Sequence, residues 1–382
     1  MAASGIGVRA SAQEKADLVE QFIRLCDVES PSRSERAIAD LVTDDLRSLG
    51  LEVVEDSSGT ETGSPAGNLL THIDGSPDAP TILLCAHLDT VPLTAPVDVV
   101  RHDDVLSNAN EAILGADNKA AVAVILAVAR RLARAGSQVG VEILFTTCEE
   151  RTLAGAKAFD LDALRSDFGF VFDHASPIGE LITAAPTYYH VEGRFRGHAV
   201  HAGLCPERGH NAIAAAAAAI SSLEFGRLDA ETTRNVGLID GGSAPNVVAE
   251  RCTATCEARA VDHQRAAAVA TEIVDAMTEA ATDAGCDVEL IVEERFRGYR
   301  VPRSAVPVQV AARALADVGI EATPISTGGG SDANVFQARG FQCLNVANGT
   351  EGAHQPDERV TVAALETMLD VTLGIVRHAA SA

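Results

Sequence analysis

Several apolar segments of this chain end in side chains that can bind a cation or move a proton. The first, LLCAHLDTVP at residues 83–92, changes from an apolar run to an imidazole and a carboxylate two residues apart. The groups at such positions are His87 and Asp89, Glu149 and Glu150, Asp173 and His174, and His354, and the loop LGADNKAA adds Asp117 at the start of a predicted helix. One such group alone is common as a helix cap or a hydrogen-bonded side chain, but their repetition indicates a shared site.

Carboxylates that converge in one cleft repel each other, so either their pKa values rise or a cation lies among them. Two histidines and three carboxylates, without a thiolate, suit zinc, manganese or cobalt. Cys252 and Cys256 do not indicate a further metal site. They alternate with polar residues in RCTATCEAR, which predicts that they lie on the buried face of a strand.

The first half of the chain alternates helical patterns with buried extended patterns. The predicted elements are helices at 12–26 and 34–49, strands at 81–87, 141–147 and 168–172, and a helix from Lys119 to Gly136. Ser32 or Ser34 is expected to cap the second helix. Unbroken apolar strands separated by helices are typical of a parallel sheet covered on both faces. Functional groups in such a sheet collect beyond the carboxyl ends of the strands.

The pattern changes near residue 186. Strands with one solvated face and two alanine-rich helices, at 210–223 and 262–284, predict an antiparallel sheet with helices on one side. The buried pattern then returns, with a helix at 304–318, a strand at 343–347 and a last helix at 361–379. We therefore expect a catalytic α/β domain formed by residues 1–185 and 299–382, with an α+β domain inserted at 186–298.

Composition excludes several classes of partner. The net charge is -24, with three lysines among 30 basic residues, so nucleic acid and anionic membranes are not expected to bind. No apolar run approaches the roughly 20 residues of a membrane span. The amino-terminal segment lacks the apolar centre of a secretory signal, and the eight cysteines form no disulfide framework. A cytoplasmic protein is expected.

Six motifs occur along the chain in a fixed order: AHLDTVP, LGADNKAA, TTCEER, FDHAS, GHAVHAG and AHQPDE. Together they resemble the M20 family of metallopeptidases. TGGGSDANVF, followed by a final histidine, is more similar to the peptidase T-like (aminotripeptidase-like) branch of that family. The resemblance implies a zinc-peptidase-like α/β catalytic domain with a mainly parallel central sheet. It also implies that the inserted α+β domain is a lid that joins two chains into a homodimer.

The resemblance implies a site for two divalent metal ions, with zinc expected and manganese or cobalt as alternatives. The implied ligands are His87 and Asp173 for one ion, Glu150 and His354 for the other, and Asp117 as a bridge between them. The peptide bond after the bridging residue would be cis. Asp89 would hydrogen-bond the far nitrogen of His87 and fix its tautomer.

The resemblance also implies that Glu149 is the general base and binds no metal. In the inserted domain, His201 would stabilise the tetrahedral oxyanion, reaching across the dimer interface. Asn246 and Arg259 would hold the carboxylate or carbonyl of the substrate, although a surface ion pair is the alternative for the arginine.

The glycine-rich segment TGGGSDANVF does not have the pattern of a phosphate loop. We predict that Gly329, Gly330 and Ser331 line the cleft beside the substrate. A tight turn that only packs is the alternative.

The predicted reaction is hydrolysis of an amide bond in small peptides, of the aminopeptidase or tripeptidase type. An amidohydrolase that deacylates N-acyl amino acids is the alternative, because Arg259 would serve a carboxylate in either substrate. A non-catalytic metal-binding protein would lack the base or a ligand, and none of these is missing from the sequence.

Overall fold

The computed structural model describes residues 9–382 and divides them into two units. The first unit extends to Thr183 and continues in Val301–Ile325 and Ser331–Ala382. The second comprises Ala184–Arg300 and Ser326–Gly330. The glycines of the glycine-rich segment therefore belong to the second unit, although their position in the sequence suggested the first.

The helices and strands follow the predicted alternation closely. The helices are α1 (Ala12–Cys26), α2 (Arg36–Ser48), α3 (Gly59–Thr62), α4 (Ala116–Ala135), α5 (Ala154–Ala158), α6 (Ala212–Ser221), α7 (His263–Asp283), α8 (Val306–Asp317), α9 (Asp332–Ala338) and α10 (Val362–Ala379). The strands are β1 (Val53–Glu55), β2 (Leu69–Ile73), β3 (Thr81–His87), β4 (Val99–His102), β5 (Val105–Asn108), β6 (Gly140–Thr146), β7 (Phe168–Val171), β8 (Glu180–Ala185), β9 (Thr187–Arg196), β10 (Gly226–Asp229), β11 (Thr232–Gly241), β12 (Arg251–Ala260), β13 (Asp287–Phe296), β14 (Tyr299–Arg300), β15 (Thr323–Ser326), β16 (Cys343–Val346), β17 (Thr350–Glu351) and β18 (Arg359–Thr361).

The central sheet of the first unit runs in the order β1-β2-β6-β3-β7-β16-β8. Its four middle strands, from β6 to β16, are parallel, and the strands on both sides of them are antiparallel. All residues of β6 are buried, as are all but the first of β3, because helices cover both faces. The predicted α/β fold with a mainly parallel central sheet is confirmed.

The register of the parallel strands brings their carboxyl ends to one edge. His87 at the end of β3 lies beside Thr146 at the end of β6. Val171 at the end of β7 pairs with Cys85 on one side and with Asn345 on the other. The segments that follow these strands therefore leave the sheet side by side, which is where a site can be assembled from residues far apart in sequence.

The helices α4 and α2 of the first unit begin without a side-chain cap. The long helix α4 follows Gly115, whose φ of +78° is the left-handed conformation that glycine adopts readily. The predicted capping of α2 by Ser32 or Ser34 is wrong. That helix starts after Glu35 without a side-chain cap, and the Ser32 hydroxyl donates instead to Asp89.

The second unit contains the antiparallel sheet β10-β11-β12-β9-β13, against which α6 and α7 pack. Cys252, Ala254, Cys256 and Ala258 are buried on one face of β12, as their alternation predicted, and contribute to the core of this unit. Within residues 9–382, no helix combines the length and apolar character needed to cross a membrane.

Candidate metal centre

The first half of the candidate centre lies where β3 and β7 end. The Nε2 atom of His87 is 3.5 Å from Asp117 Oδ1 and 3.6 Å from Asp173 Oδ1. The side chain of His87 is 1 % exposed, and those of Asp117 and Asp173 are 12 % and 11 % exposed. Asp117 comes from the irregular first turn of α4, where its peptide bond to Asn118 is cis, as expected.

The second half lies on the other side of Asp117. His354 is in the connection between β17 and β18, and its Nε2 atom is 2.8 Å from Glu150 Oε1 and 3.4 Å from Asp117 Oδ2. Its side chain is 50 % exposed. Asp117 thus presents one carboxylate oxygen to each histidine, which is the arrangement expected of a bridging ligand.

The donor atoms fit a metal centre. In the two groups His87–Asp117–Glu150 and His87–Glu149–Asp173, one ligand atom from each residue lies within 4.8 Å of the others. Asp117 Oδ1 is buried and accepts no hydrogen bond from residues 9–382, so it retains a lone pair for a cation. Imidazole nitrogens with carboxylate oxygens are ligands that zinc and related divalent ions prefer. Glu149, the predicted base, belongs to the second group by distance.

The histidines and carboxylates of the centre shift each other's pKa values. Burial alone would lower the pKa of His87, but Asp173 and Asp117 raise it well above the usual value. Hydrogen bonds to Asp117 and Glu150 raise the pKa of His354 to about 10. Burial would raise the pKa of Asp117, but the two histidines hold it below its usual range. The carboxylates therefore favour the protonated form of both imidazoles, and a divalent cation would compete with these protons.

The adjacent glutamates have pKa values shifted upward. Burial and the charge of Asp173 raise the pKa of Glu149 well above its usual value. Burial also raises the pKa of Glu150, although the hydrogen bond with His354 acts in the opposite direction. A carboxyl with a raised pKa binds a proton more readily than an exposed one, which suits a group that accepts and returns a proton.

Asp89 acts differently from the prediction. The Nδ1 atom of His87 is 2.9 Å from the backbone carbonyl oxygen of Asp89, whereas the nearest Asp89 carboxylate oxygen is 3.6 Å away, too far for a hydrogen bond. That carboxylate instead accepts hydrogen bonds from the amides of Glu149 and Glu150 and from the hydroxyl of Ser32. The residue still orients the imidazole, but through its backbone, because its side chain holds the glutamate loop.

Two further buried side chains hold the loops of the centre and were not predicted from the sequence. Asn345 accepts a hydrogen bond from the amide of Asp173 and donates one to its carbonyl oxygen. Glu35 accepts hydrogen bonds from the amide and the thiol of Cys148, the residue before the two glutamates. A polar residue inside the buried segment CLNVA was the only available signal for Asn345.

Asp332 is a third buried group near the centre. It lies in the predicted glycine-rich motif but was not singled out. Its Oδ2 atom accepts a hydrogen bond from the hydroxyl of Thr146, and its buried Oδ1 atom has no hydrogen-bond partner among the residues that the structure describes. Burial raises its pKa to about 7.

In the second unit, two of the predicted residues lie together. His201 pairs with Val247 in an isolated bridge, and the amide of Ala202 donates to the carbonyl oxygen of Asn246. His201 and Asn246 are both exposed. Their predicted roles toward a substrate stay predictions.

Arg259 of the second unit stacks its guanidinium 4.4 Å from the ring centre of Tyr188 and 6.0 Å from that of Phe296. It donates to the carbonyl oxygen of Gly328, at one end of the glycine-rich segment, and to Glu257. The intraunit ion pair with Glu257 agrees with the alternative considered for this residue, while the stacking fixes the plane of the guanidinium.

The glycine-rich segment is divided between the two units, with the boundary between Gly330 and Ser331. Gly329 is exposed and Gly330 is half-buried in the second unit, where their predicted contact with substrate stays a prediction. Ser331 is 1 % exposed and is the N-cap residue of α9, and its predicted place beside the substrate also stays a prediction. Its amide donates to Asn334, and its hydroxyl accepts a hydrogen bond from Asn345.

Comparison with known proteins identifies the family. The sequence model of peptidase family M20/M25/M40 matches residues 83–378, which is more than half of the chain. The chain belongs to this family. It is a hydrolase of the metallopeptidase type, as the ordered motifs predicted.

Relatives within the family are similar over nearly the whole chain. The structure of aminopeptidase PepT from Bacillus cereus is 31% identical, with a TM-score of 0.89, covering 98% of this chain and 100% of that one. A tripeptidase structure from Staphylococcus aureus is 29% identical, with a TM-score of 0.92, covering 96% and 99%. The peptidase T-like protein RB0614 of Rhizobium meliloti is 26% identical over 96% of this chain and 99% of its own length.

Proposed function

We propose that this M20 family hydrolase cleaves the peptide bond next to the free amino terminus of small peptides, such as tripeptides. One divalent cation would be held by His87 and Asp173, the other by Glu150 and His354, with Asp117 between them. The observation that carries the proposal is that each oxygen of Asp117 faces a different histidine, at 3.5 and 3.4 Å. The likeness to an aminopeptidase and a tripeptidase supports the substrate class.

The chemistry divides between the cations and the side chains of this chain. When bound, two such cations polarise the scissile carbonyl and lower the pKa of water. Glu149 takes a proton from the attacking water as the new carbon–oxygen bond forms, and gives it to the amine as the carbon–nitrogen bond breaks. Its burial and raised pKa support this role. Asp89 supports the same loop by accepting hydrogen bonds from the amides of both glutamates.

Residues of the second unit would bind the rest of the substrate. We propose that Arg259 holds the carboxylate of the peptide, because its planar guanidinium lies over the ring of Tyr188 and can offer two parallel N–H donors. His201 would stabilise the oxyanion and Asn246 would bind the substrate carbonyl. Gly329 and Gly330 would border the peptide.

We further propose zinc as the cation, a homodimer formed through the second unit, and a cytoplasmic location. Two histidines with three carboxylates suit zinc, with manganese or cobalt as alternatives. Leu238 and Ile239 on β11 of the second unit are 69 % and 52 % exposed, which favours a partner surface there. All eight cysteines, which lie within the described residues, are free, as in a reducing compartment.

The alternative substrate class is an N-acyl amino acid. Arg259 favours it equally, because such a substrate also carries a carboxylate. The two substrates differ at the other end, where a peptide has a charged ammonium group and an acylated amino acid does not.

A direct test compares hydrolysis of unmodified tripeptides with hydrolysis of N-acetyl amino acids and amino-terminally acetylated tripeptides by the zinc-loaded chain. We expect cleavage of the free tripeptides and loss of cleavage on acetylation, with release of the first residue seen by mass spectrometry. Preferred hydrolysis of the N-acetyl amino acids would replace the peptidase proposal with the amidohydrolase.

A further inference from the structure

Glu358 is a buried carboxylate that ends the motif AHQPDE, but neither the resemblance nor the proposed reaction gives it a role. It is 1 % exposed and lies at the end of the connection between β17 and β18. Burial raises its pKa to about 7, although hydrogen bonds from backbone amides act in the opposite direction. A carboxyl in such a place is costly unless it is hydrogen-bonded, so its contacts indicate what it is for.

Both oxygens of Glu358 are used to hold one loop. Its Oε2 atom accepts a hydrogen bond of 2.7 Å from the amide of Gly115, and its Oε1 atom accepts one of 2.8 Å from the amide of Asp117. These amides are at the irregular start of α4, where ordinary helix geometry does not determine the backbone. The direction of the Asp117 carboxylate therefore depends on an acceptor 241 residues away in sequence.

The same connection also carries the second histidine of the centre. His354 precedes Glu358 by four residues, and its ring contacts Asp117 Oδ2 at 3.4 Å. The short segment between β17 and β18 thus meets Asp117 twice. Its histidine contacts the side chain and its glutamate holds the backbone.

We propose that Glu358 is a positioning residue that sets the place of the Asp117 carboxylate between the two histidines. It does so by fixing the Gly115–Asp117 backbone to the segment that carries His354. Because both donors are backbone amides, an acceptor with two oxygens is required, and a carboxylate meets that need where an amide side chain does not. The inference rests on the proposed two-cation centre, and it assigns to Glu358 the geometry of the bridge rather than contact with a cation or substrate.

The test is Glu358→Gln, which keeps the size of the side chain but replaces one acceptor oxygen with an amino group. Glu351→Gln is the matched control, because Glu351 ends β17 just before this segment, is exposed and forms an ion pair with Arg359 at the surface. Each full-length protein is stripped of metal and titrated with zinc against a chromogenic chelator. Thermal unfolding of the metal-free proteins is recorded in parallel.

We expect wild type and Glu351→Gln to bind two zinc ions with equal affinity. In Glu358→Gln, the affinity for at least one ion should fall about 10- to 100-fold, the range typical of residues that orient ligands. Unchanged zinc affinity, with or without a lower unfolding temperature, would overturn the proposal, because a merely structural role changes stability alone. If wild type binds two zinc ions in the same experiment, that result contradicts only the role of Glu358 and not the proposed two-cation centre.

If Glu358→Gln does not fold, Glu358→Asp serves in its place. It keeps the charge but is shorter by one methylene, so it cannot reach both amides. The same weakening of zinc binding is expected, and wild-type affinity in this variant overturns the proposal. A wild-type chain that binds no zinc would overturn the two-cation centre itself, and this inference with it.

Discussion

The two halves of the candidate centre are built from the same kinds of side chain but differ in their surroundings. His87 ends a central strand, is 1 % exposed, and has its second ring nitrogen held by a backbone carbonyl oxygen. His354 lies in a connection between two short strands, has a positive φ of 66°, and is 50 % exposed. The central sheet therefore fixes the position of His87, whereas a loop carries His354.

This difference indicates unequal roles for the two halves. Charges interact more strongly where water is excluded, so each ligand of the buried half should contribute more to cation binding. In the exposed half, water can take the place of a missing imidazole. We therefore expect the half with His87 to hold its cation more tightly than the half with His354.

The largest predicted effect concerns the two histidines. His87→Ala should lower peptide hydrolysis and zinc affinity by more than about 100-fold, beyond the range seen for residues that only orient ligands. His354→Ala should cause a smaller loss, because the exposed side lets water complete the coordination. Zinc titration and initial rates on one tripeptide measure both effects.

The control for this comparison is His102→Ala, an exposed histidine at the end of β4 in the same unit, which should change neither quantity. Equal losses in the two ligand variants, or a larger loss in His354→Ala, would contradict the difference between the halves.

A smaller effect is expected in the pH dependence of the metal-free protein. Asp117 and Glu150 raise the pKa of His354 from 6.5 to about 10, so the folded protein binds this proton more tightly than the unfolded chain. The resulting stabilisation is fully present below pH 6.5 and is lost as the pH rises toward 10. It should be modest, because solvent screens the half-exposed ring.

Thermal unfolding of metal-free wild type should therefore occur at lower temperature as the pH rises from 6.5 to 10, and that decrease should be smaller in His354→Ala. Identical pH profiles for the two proteins would show that His354 forms no stabilising ion pair with Asp117 and Glu150.

Most of the ligand candidates could be predicted because they follow apolar strands, and parallel strands bring their ends to one edge whatever lies between them in sequence. For this reason, His87 Nε2 and Asp173 Oδ1 are 3.6 Å apart. Asp117 differs, because it lies at the start of the helix α4. The fold class could be predicted from the same buried strands. Cys252 and Cys256 were also correctly placed on a buried face, since alternation depends only on local geometry.

The supporting contacts could not be predicted, because their partners are backbone amides that have no sequence signature. The spacing of His87 and Asp89 is equally compatible with a bond to the carboxylate or to the carbonyl oxygen. The carbonyl oxygen is used because the Asp89 carboxylate accepts hydrogen bonds from the amides of Glu149 and Glu150, which lie 60 and 61 residues further along the chain. Glu358 is missed for the same reason, and Ser32 failed as a cap because Asp89 is a tertiary partner for its hydroxyl.

The most direct test of the centre is to measure zinc content and turnover together in Glu149→Gln. Glu149 lies near enough to His87 and Asp173 to be a ligand, so its role as a base must be separated from metal binding. We predict that the variant retains two zinc ions per chain while tripeptide hydrolysis falls about 10²- to 10⁴-fold, the usual contribution of a general base. Loss of one zinc ion, or turnover equal to that of wild type, would contradict the assignment of this glutamate as the base.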